Sequence, residues 1–394
     1  MRILSVSAQK PHSTGSGVYL TEMVRAFAEI GHSQAVVAGV YESDKVCLPA
    51  GVEFHPVYFN TPALPFPIAG MSDEMPYKST LYRHMSEEML GQFEAAFTGV
   101  LVAVVESFRP DVIICHHLYL LTALARRLFP SLAIWGICHG TDLRQMYTNP
   151  LRRAYIRSGV AALDKVCCLH EEQRQQAIAC FGLSPSRVMA VGNGFNQQVF
   201  YNKNERRLHD EVRLVYAGKI SKKKGVYSLI AALDKLGWPR EGFSLRLAGG
   251  WSGKAQRLQA EGLIAASGWD ITPLGPLNQA QLAGEFNRGD VFVLPSFYDG
   301  LPLVLAESLA CGMRAVCTDL PGIRPFMDAN IPGHGIRFVQ PPEMCDTDTP
   351  LSDCLPAFHR RLAAAIKEAA ATAAGPAPDL SALTWTAVCR RVLA

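Results

Sequence analysis

Residues 290–318, DVFVLPSFYDGLPLVLAESLACGMRAVCT, decide the fold of this chain. The run VFVL at 291–294 is continuously apolar, which is typical of a parallel strand buried on both faces. Pro295 ends this strand, and Pro302 is suited to begin a helix because its missing N–H would have no partner in the first turn. Gly312 is a typical helix stop. The stretch therefore predicts one strand, loop and buried helix of a parallel α/β sheet.

Two acids flank that loop and are candidate ligand-binding residues. Glu307 lies in a helix that is apolar nearly all round, where a carboxylate is costly unless it is paired. Asp299 lies at the carboxyl end of the strand, where open parallel sheets bind ligands. The alternative is that Asp299 caps a turn and Glu307 pairs with a buried arginine. Two acids that frame a strand, a loop with Gly300 and a helix favour a ligand site.

The composition indicates a globular chain with more than one domain. At 394 residues the chain is too long for one ordinary core, so two domains are expected. Hydrophobic residues make up 49% and charged residues 19%, which excludes a disordered chain. The net charge of +3 is too small to indicate a nucleic-acid partner, and none is predicted.

Neither a membrane span nor secretion is predicted. No apolar run approaches the length of a membrane span, and the N-terminal MRILSVS enters a strand directly, so no signal peptide is expected. The eleven cysteines show no C-x-x-C spacing, and several lie in apolar runs where Cys packs as a small hydrophobic residue. Reduced thiols and a cytoplasmic location are the simplest interpretation.

Apolar strands alternate with longer helical patterns along the whole chain, which predicts βαβ units and parallel sheets. A polar segment at 202–211 is a plausible linker, and an Ala-Pro-rich segment at 371–378 separates the last two helical patterns. The predicted strands are 3–6, 35–40, 111–115, 133–138, 166–169, 188–191, 214–217, 245–248, 271–274 and 291–294, and the main helical patterns are 81–108, 226–236, 358–374 and 382–393.

The first βα turn is glycine-rich. It contains Gly15 and Gly17 but does not match G-x-G-x-x-G, so a dinucleotide cofactor is poorly supported. One interpretation is a flexible turn. The other is a set of backbone amides that face an anion at a helix N-terminus.

A basic turn at 218–225, GKISKKKG, carries a second chemical signal. Lys222 and Lys223 are typical of a solvated run of charge. Lys219 and Lys224 each lie beside a glycine, where backbone and ammonium group can approach a phosphate together. Cations for a diphosphate near acids for sugar hydroxyls indicate a nucleotide-sugar site.

Two further features stand out in the first half. The loop 61–80 is proline-rich and apolar. Three interpretations of it are evenly balanced: a wall of an acceptor pocket, a membrane-contacting surface, or a segment that packs within its own domain. His139 falls where a predicted strand stops and a glycine-containing turn begins, the position that a parallel sheet offers to ligands. Most single histidines are structural, and no third clustered ligand indicates a zinc site.

These motifs resemble those of retaining glycosyltransferases with the GT-B fold, in glycosyltransferase family 4. The resemblance covers nearly the whole chain and is more specific in the second half. There the family has a Gly-Arg turn, Lys-Gly, Pro-Ser, Glu-Gly, a second Glu eight residues on, and Ala-Cys-Gly. This chain has Gly218-Lys219, Lys224-Gly225, Pro295-Ser296, Asp299-Gly300, Glu307 and Ala310-Cys311-Gly312, and in the first half the glycine-rich turn, Arg109-Pro110-Asp111, His116, His139-Gly140-Thr141-Asp142 and Asn193-Gly194.

The resemblance implies two Rossmann-like, doubly wound α/β domains that face each other across a cleft. Residues 1–196 would form the acceptor-binding domain and residues 197–375 the nucleotide-sugar-binding domain. Residues 376–394 would form a helix that packs back toward the first domain.

The implied reaction is transfer of a sugar from a nucleoside diphosphate sugar, UDP- or GDP-linked, with retention at the anomeric carbon. Gly218, Lys219 and Lys224 would hold and neutralise the diphosphate, and Glu307 would bind the ribose hydroxyls. The catalytic set would be Asp299, His139 and Lys224. The donor sugar would lie against Asp299, Gly300, Leu301, Pro302 and Leu303, while Gly15 and Gly17 would approach phosphate or acceptor from the opposite wall.

No metal and no bound cofactor are implied, because lysines and amides supply the charge neutralisation that Mg²⁺ supplies elsewhere. The acceptor would be a saccharide or a lipid-linked saccharide. Peripheral membrane contact is a hypothesis that rests on the loop 61–80 and on Arg152, Arg153 and Arg157.

Two positions depart from the family pattern. Lys219 replaces an arginine and loses its bidentate fork, and Asp299 replaces a glutamate that is one methylene longer. These two replacements imply either that the loop has adapted to the shorter acid or that the protein prefers a different donor. That the protein is an inactive member of the family is the less favoured interpretation. Three alternatives to a transferase remain. A nucleotide-sugar epimerase would turn over its substrate without an acceptor, and a sugar phosphorylase would need a lysine for pyridoxal phosphate. A non-catalytic two-domain sugar-binding protein would bind free sugar without the nucleotide.

Overall fold

The chain divides into two compact units. The computed structural model describes residues 1–73, 75–203, 211–251, 253–346, 348–372 and 378–394. One unit comprises Met1–Asn193 and Trp385–Ala394, and the other comprises Gly194–Thr384. The division thus falls three residues before the expected boundary at 196, and the described residues of the expected linker, 202, 203 and 211, belong to the second unit. Residues 204–210 of that segment, and the expected boundary after residue 375, lie outside the described residues.

The first unit is built on a parallel sheet. Its strands are β1 (Arg2–Ser7), β2 (Ser33–Val40), β3 (Glu53–Tyr58), β4 (Ala69–Gly70), β5 (Thr80–Leu81), β6 (Val112–His116), β7 (Ala133–Ile137), β8 (Lys165–Cys168) and β9 (Val188–Ala190). Among the described residues, the main sheet has the order β3-β2-β1-β6-β7-β8-β9, and β4 pairs with β5 separately. All of these pairings are parallel, as the alternation of strands and helices predicts.

Helices cover both faces of this sheet. They are α1 (Gly15–Glu29), α2 (Glu87–Phe108), α3 (Leu120–Leu128), α4 (Gly140–Thr148), α5 (Arg153–Ala161) and α6 (Glu171–Phe181), with short 3₁₀ turns at Tyr82–His84 and Pro185–Arg187. In β2, Val36 packs in a cluster with Leu20 of α1, whereas its neighbour Val37 packs in the larger cluster that contains Phe93 of α2. Because successive residues of a strand point to opposite faces, α1 and α2 lie on opposite sides of the sheet.

Helix α2 corrects one expectation from the sequence. It is long and apolar enough, by length and composition, to cross a membrane, with a mean hydropathy of 1.4 over its most apolar window. The prediction that no segment reaches this length is therefore wrong. Its buried residues Leu90, Phe93, Phe97 and Leu101 recur every three or four positions and belong to the core of the first unit. That spacing is typical of a helix that packs one face against a core. Such a helix can be as long and as apolar as one that crosses a membrane.

The proline-rich loop 61–80 packs within its own unit. Leu64, Phe66, Ile68 and Met71 are buried in the core cluster of the first unit. This favours the packing alternative over an apolar surface. Arg152, one of the three arginines invoked for membrane contact, is paired with Glu87 and Glu94. The exposed Arg153 and Arg157 leave peripheral membrane contact as a prediction.

The second unit repeats the architecture. Its strands are β10 (Val212–Ala217), β11 (Phe243–Ala248), β12 (Ile271–Gly275), β13 (Val291–Leu294), β14 (Arg314–Thr318) and β15 (Arg337–Val339). In the described residues they form a parallel sheet of order β12-β11-β10-β13-β14-β15. The helices are α7 (Val226–Leu233), α8 (Gly253–Ser267), α9 (Gln279–Arg288), α10 (Leu303–Ala310), α11 (Ile323–Asn330) and α12 (Leu355–Ala371), with 3₁₀ turns at Arg240–Gly242, Ser352–Cys354 and Ser381–Leu383.

The stretch 290–318 folds as its sequence predicts. Strand β13 is fully buried and lies inside the sheet between β10 and β14, which explains its uninterrupted apolar run. Helix α10 begins one residue later than predicted, because Pro302 has extended backbone angles and immediately precedes the helix. Gly312 follows it with a left-handed φ of 80°. The strand, loop and helix therefore place Asp299 at the carboxyl edge of the second sheet.

The last helix, α13 (Trp385–Leu393), belongs to the first unit. Its buried face carries Trp385, Val388, Cys389 and Val392, and the Trp385 ring packs edge-on against Tyr19 of α1 with centroids 4.8 Å apart. The Arg391 side chain donates from Nε to the Val191 carbonyl at 2.7 Å. The C-terminal helix thus packs against the residues that begin the chain.

The cysteines are unlinked. All eleven are free thiols, and the five predicted to lie in strand-like apolar runs are all buried. Burial raises the pKa of Cys115 and of Cys167 to about 12, so these thiols stay protonated and packed like small hydrophobic residues.

Candidate functional site

The basic turn 218–225 is held rigidly at the carboxyl edge of the second sheet. It connects β10 to α7, and Gly218 adopts a φ of 150°. The buried Tyr216 donates from its hydroxyl to the Lys219 carbonyl at 2.7 Å. This bond fixes the backbone of Lys219 next to the end of β10. The predicted diphosphate-binding residues Gly218 and Lys219 therefore lie where a parallel sheet binds ligands.

The basic turn packs directly on the loop that follows β13. The Phe297 amide donates to the Lys223 carbonyl at 2.9 Å, which ties the two segments together. Gly225 has a left-handed φ of 69°, and a Cβ atom built there would lie 1.9 Å from the Pro295 carbonyl oxygen. A side chain at this position is therefore sterically excluded. Glycine at 225 is what allows the two loops to meet.

Lys224 and Asp299 form an ion pair across these two loops. The Lys224 Nζ lies 2.7 Å from the Asp299 Oδ2 and 3.3 Å from the Tyr298 carbonyl oxygen. Asp299 also accepts from the Ser296 hydroxyl at 3.3 Å and from the Gly300 amide at 3.1 Å. The two charged side chains are 28% and 19% exposed. A cation and an acid predicted from separate motifs are thus brought together, partly buried but open to solvent.

Glu307 lies in α10, the helix that follows the Asp299 loop. It is 5% exposed. Strands β10 and β13 are parallel neighbours, with Leu214 opposite Val291, so the segments that follow them emerge at one edge. Leu301 and Pro302 are buried and Gly300 and Leu303 half-buried between Asp299 and Glu307.

The other two lysines of the turn have different environments. The Lys222 side chain is exposed, as expected for a solvated charge. Lys223 pairs with Asp348 at 2.7 Å and is half exposed. The sequence did not predict that partner, because residue 348 lies far along the chain.

Gly15 and Gly17 lie in a different setting from the one expected. They form the first turn of α1 and not a flexible loop before it, and the Gly17 amide donates to the Thr14 side chain at 3.0 Å. A Cβ atom at Gly17 would lie 2.5 Å from the Lys10 carbonyl oxygen, whereas one at Gly15 would meet open space. Gly17 is therefore needed for close packing of the preceding loop. A role of the two glycines toward phosphate or acceptor remains a prediction.

His139 lies in a cluster of buried histidines in the first unit. The cluster comprises His116 and His117, at the end of β6, and His139, at the start of α4; each is less than 10% exposed. The His139 ring lies 4.6 Å from the His117 ring and 5.8 Å from the His116 ring, centroid to centroid. Tyr19 packs edge-on against His139 at 5.3 Å.

Asp142 anchors this histidine cluster. It is fully buried, and its Oδ2 accepts from the amides of His139 and Leu118 at 2.9 and 2.8 Å. Its Oδ1 lies 2.6 Å from the His117 Nδ1. One carboxylate thus joins the loops that follow β6 and β7.

Sequence reasoning selected His139 and overlooked His117 and Tyr19. A signal for His117 was present, because it follows the apolar run 112–115 as His139 follows 133–138. Tyr19 gave no signal, since a tyrosine in an apolar helical pattern is usually a core residue. Its ring is buried, and its hydroxyl donates to the Gly192 carbonyl at 3.1 Å.

Burial keeps two of the clustered histidines, His116 and His139, neutral. Desolvation, with smaller contributions from neighbouring histidines, lowers the pKa of His116 well below its usual value, and the pKa of His139 to about 3. In the unfolded chain these rings titrate near 6.5. The unfolded state therefore binds more protons than the folded state at any pH between the folded and unfolded values, and stability falls as the pH drops through that window.

We expect the first unit to lose stability in mild acid, from about pH 6.5 downward, by roughly 1 kcal/mol per pH unit for each such histidine. Replacing His116 with Phe should reduce this loss, because Phe has no ring nitrogen to protonate. Urea unfolding at about pH 7.5 and pH 5 measures it. The prediction is wrong if the free energy of unfolding of the H116F variant differs from that of the wild type by the same amount at both pH values.

A metal site is not indicated by side-chain geometry. Within the described residues, no group of three or more His, Cys, Asp or Glu side chains is placed to hold a metal ion. Independence from metal remains a prediction that turnover in the presence of EDTA tests.

Comparison with known protein families matches both halves of the chain. Residues 14–194 match the family described as "Glycosyl transferase 4-like domain", and residues 211–346 match "Glycosyl transferases group 1". Together they cover well over half of the sequence. The chain is a group 1 glycosyltransferase. The resemblance drawn from the sequence motifs to glycosyltransferase family 4 is confirmed.

Individual relatives of this glycosyltransferase are distant. A D-inositol 3-phosphate glycosyltransferase of Arthrobacter sp. (strain FB24) is 36% identical over 114 residues, which is 28% of this chain and 27% of that protein. A glycogen synthase of Mycobacterium tuberculosis is 24% identical over 343 residues, 82% of this chain and 79% of that protein. The more similar match therefore covers only about a quarter of its relative's length.

Solved structures confirm the fold of the glycosyltransferase. Sucrose-phosphate synthase from Thermosynechococcus elongatus has a TM-score of 0.68 at 17% identity, over 100% of this chain and 97% of that one. Anabaena HepE, in complex with UDP and glucose, has a TM-score of 0.64 at 13% identity, over 100% and 98%. At such identities the likeness shows the fold alone. It is the GT-B fold, with two Rossmann-like domains.

Proposed function

We propose that this glycosyltransferase transfers a hexosyl group, with retention, from a nucleoside diphosphate sugar to an acceptor hydroxyl in glycan or glycolipid biosynthesis. The observation that carries the proposal is the meeting of Lys224 and Asp299, 2.7 Å apart, at the carboxyl edge of the second sheet. A diphosphate needs cations and a sugar needs hydrogen-bond acceptors. This pair offers one of each in a single place.

The diphosphate is the part of the donor that leaves, so its growing negative charge is what the protein must stabilise. Lys224 provides a charged ammonium group, and Lys219, on the same rigid turn, provides a second. In the proposed mechanism both contact the diphosphate. Fixed cations need no reorganisation when the bond breaks, and this preorganisation is the source of their effect on rate.

The two acids are proposed to bind the two sugars of the donor, the transferred sugar and the ribose. Asp299, held by Lys224, Ser296 and the Gly300 amide, is proposed to bind the sugar hydroxyls with the backbone of the following residues. Glu307 is proposed to bind the ribose. His139 is neutral at physiological pH, so it is proposed to act through hydrogen bonds to the sugar and not as a cation.

The relatives support a choice of substrates. HepE was solved with UDP and glucose, which supports a UDP-linked donor, with GDP as the alternative. The names of the two relatives indicate a phosphorylated polyol and a polysaccharide as acceptors in those proteins. For this chain we propose a saccharide or lipid-linked saccharide acceptor.

A thermal-shift screen of UDP, GDP and their hexose conjugates tests the donor. The cognate compound, at about 100 to 1,000 times its dissociation constant, should stabilise the protein by about 3–4 kcal/mol. EDTA should not abolish this effect or turnover. Product from the cognate donor should keep the anomeric configuration of that donor, as seen by NMR.

Asp299→Asn separates binding from chemistry in the same assay. The variant keeps the shape of the side chain and loses its charge, so it should still bind the nucleoside diphosphate but lose turnover by at least about 100-fold. Normal turnover by this variant, inversion of configuration or donor isomerisation without acceptor would each overturn the proposed mechanism.

A further inference from the structure

The backbone of His117 is held in an uncommon conformation. It has a left-handed φ of 73°, which is uncommon for residues other than glycine, although histidine adopts it more often than most. Its amide donates to the Ile137 carbonyl at 3.1 Å, and its carbonyl accepts from the Thr122 hydroxyl. A non-glycine residue in this region costs of order 1 kcal/mol and persists only where its surroundings hold it. In this conformation the His117 side chain lies in the histidine cluster.

Asp142 fixes the ring of His117. An ionised carboxylate can only accept hydrogen bonds, so the His117 Nδ1, 2.6 Å from Asp142, carries the proton. The other ring nitrogen, Nε2, is then left for a second hydrogen bond. The orientation of the ring is thus set by one buried acid.

Among the described residues, the Nε2 atom of His117 has no hydrogen-bond partner although it is buried, and the same holds for Nε2 of His139 and for both ring nitrogens of His116. Tyr19, whose ring packs against His116 and His139, donates its hydroxyl to the Gly192 carbonyl. Leaving a buried polar atom unsatisfied costs about 1–3 kcal/mol, and native structures rarely leave one without a reason. Four such atoms on three adjacent rings indicate that something else satisfies at least some of them.

We propose that His117 contacts the substrate: its Nε2 forms a hydrogen bond with a hydroxyl of the donor sugar or of the acceptor, and Asp142 positions it. The inference rests on the proposed function and extends it by one residue. A carbohydrate hydroxyl can both donate to and accept from an imidazole nitrogen, so a sugar hydroxyl suits this position.

Two substitutions at His117 separate this role from a structural one. In His117→Asn the amide nitrogen replaces Nδ1 and still donates to Asp142, the backbone tolerates the left-handed φ, and no atom remains at Nε2. In His117→Gln the amide reaches the Nε2 position and the bond to Asp142 is lost. The matched control is His32→Asn, at the opposite edge of the same sheet, where β2 begins.

The assay is hydrolysis of UDP-glucose and of GDP-mannose, and transfer to methyl α-glucoside or methyl α-mannoside. Per folded molecule, we expect kcat/KM to fall about tenfold or more in H117N and to be partly restored in H117Q. Thermal stability should follow the reverse order, with H117N close to the wild type and H117Q lower. H32N should match the wild type in activity.

The two sources of the hydroxyl give different results. A donor hydroxyl predicts that H117N slows hydrolysis as well as transfer, whereas an acceptor hydroxyl predicts slower transfer with unchanged hydrolysis. In both cases the affinity for UDP or GDP alone should not change. If H117N is as active as the wild type, or more active than H117Q, the proposed contact is wrong. If the wild type turns over no nucleotide sugar, the proposed function itself fails, and that outcome is distinct.

Discussion

Replacing Lys224 with methionine should abolish stabilisation by nucleoside diphosphates and reduce turnover by about 100- to 1,000-fold, the range found for a single preorganised electrostatic contact. Methionine keeps the apolar stem of the side chain and removes the ammonium group. The change therefore deletes the charge that is proposed to balance the leaving diphosphate. It also removes the cation that holds Asp299 in place.

The fold should survive this substitution. Lys224 and Asp299 are 28% and 19% exposed, and ion pairs that contact solvent contribute about 0–1 kcal/mol. Isothermal titration with UDP and GDP, together with initial rates, measures the loss. Lys222→Met is the matched control, because this neighbouring lysine on the same turn is exposed and has no assigned role. Wild-type affinity in K224M, or an equal loss in K222M, would contradict the assignment.

Gly225→Ala should be among the most destabilising single substitutions in the second unit. The new Cβ would lie 1.9 Å from the Pro295 carbonyl oxygen and 2.6 Å from its carbonyl carbon, so backbone must move. The residue also has a left-handed φ of 69°. We expect a loss of about 4 kcal/mol or more, which exceeds the usual effect of a point mutation.

Gly237→Ala controls for the conformational part of this loss. Gly237 has a similar φ of 61°, but the nearest atom to its Cβ position is the mobile end of Lys367, at 3.8 Å. That variant should lose only about 1 kcal/mol. Urea unfolding of both variants, followed by circular dichroism, gives the difference that the clash alone causes. Similar losses in the two variants would show that Pro295 imposes no constraint.

The central elements of each sheet were predictable because they are buried on both faces. A short, uninterrupted apolar run such as 291–294 is typical of a central parallel strand, and its flanking glycine and proline mark where it begins and ends. Strand β3 (Glu53–Tyr58) and strand β15 (Arg337–Val339) were missed. Both lie at sheet edges and are only partly buried, so the apolar signal is weak, and β3 also contains Pro56, which is tolerated at an edge.

The start of α1 shows a second limit of sequence reasoning. Glycines at 15 and 17 suggest a loop by propensity, yet both lie in the helix. The Thr14 side chain caps the first turn, and Gly17 lies against the Lys10 carbonyl, where a side chain would clash. Helix propensity reflects only the local free-energy cost of a glycine in a helix. It contains no information on a tertiary contact that requires glycine at that position.

The candidate site was predicted one side chain at a time. Motif spacing identified Lys224, Asp299 and His139, but it could not show that the first two pair with each other. Nor could it show that His139 belongs to a cluster with His117 and Asp142, since that depends on which strands are neighbours. Strands β6 and β7 place His117 and His139 side by side, and strand order is decided by the whole sheet.

Helix α13 has a consequence for how the protein is made. The N-terminal unit is completed by the final ten residues of the chain, whose Trp385 and Val388 fill its surface. On the ribosome, residues 1–193 emerge long before that segment does, so the groove beside α1 stays uncovered while the second unit is synthesised. We therefore expect the nascent first unit to expose apolar surface beside α1 until Trp385–Leu393 has been synthesised.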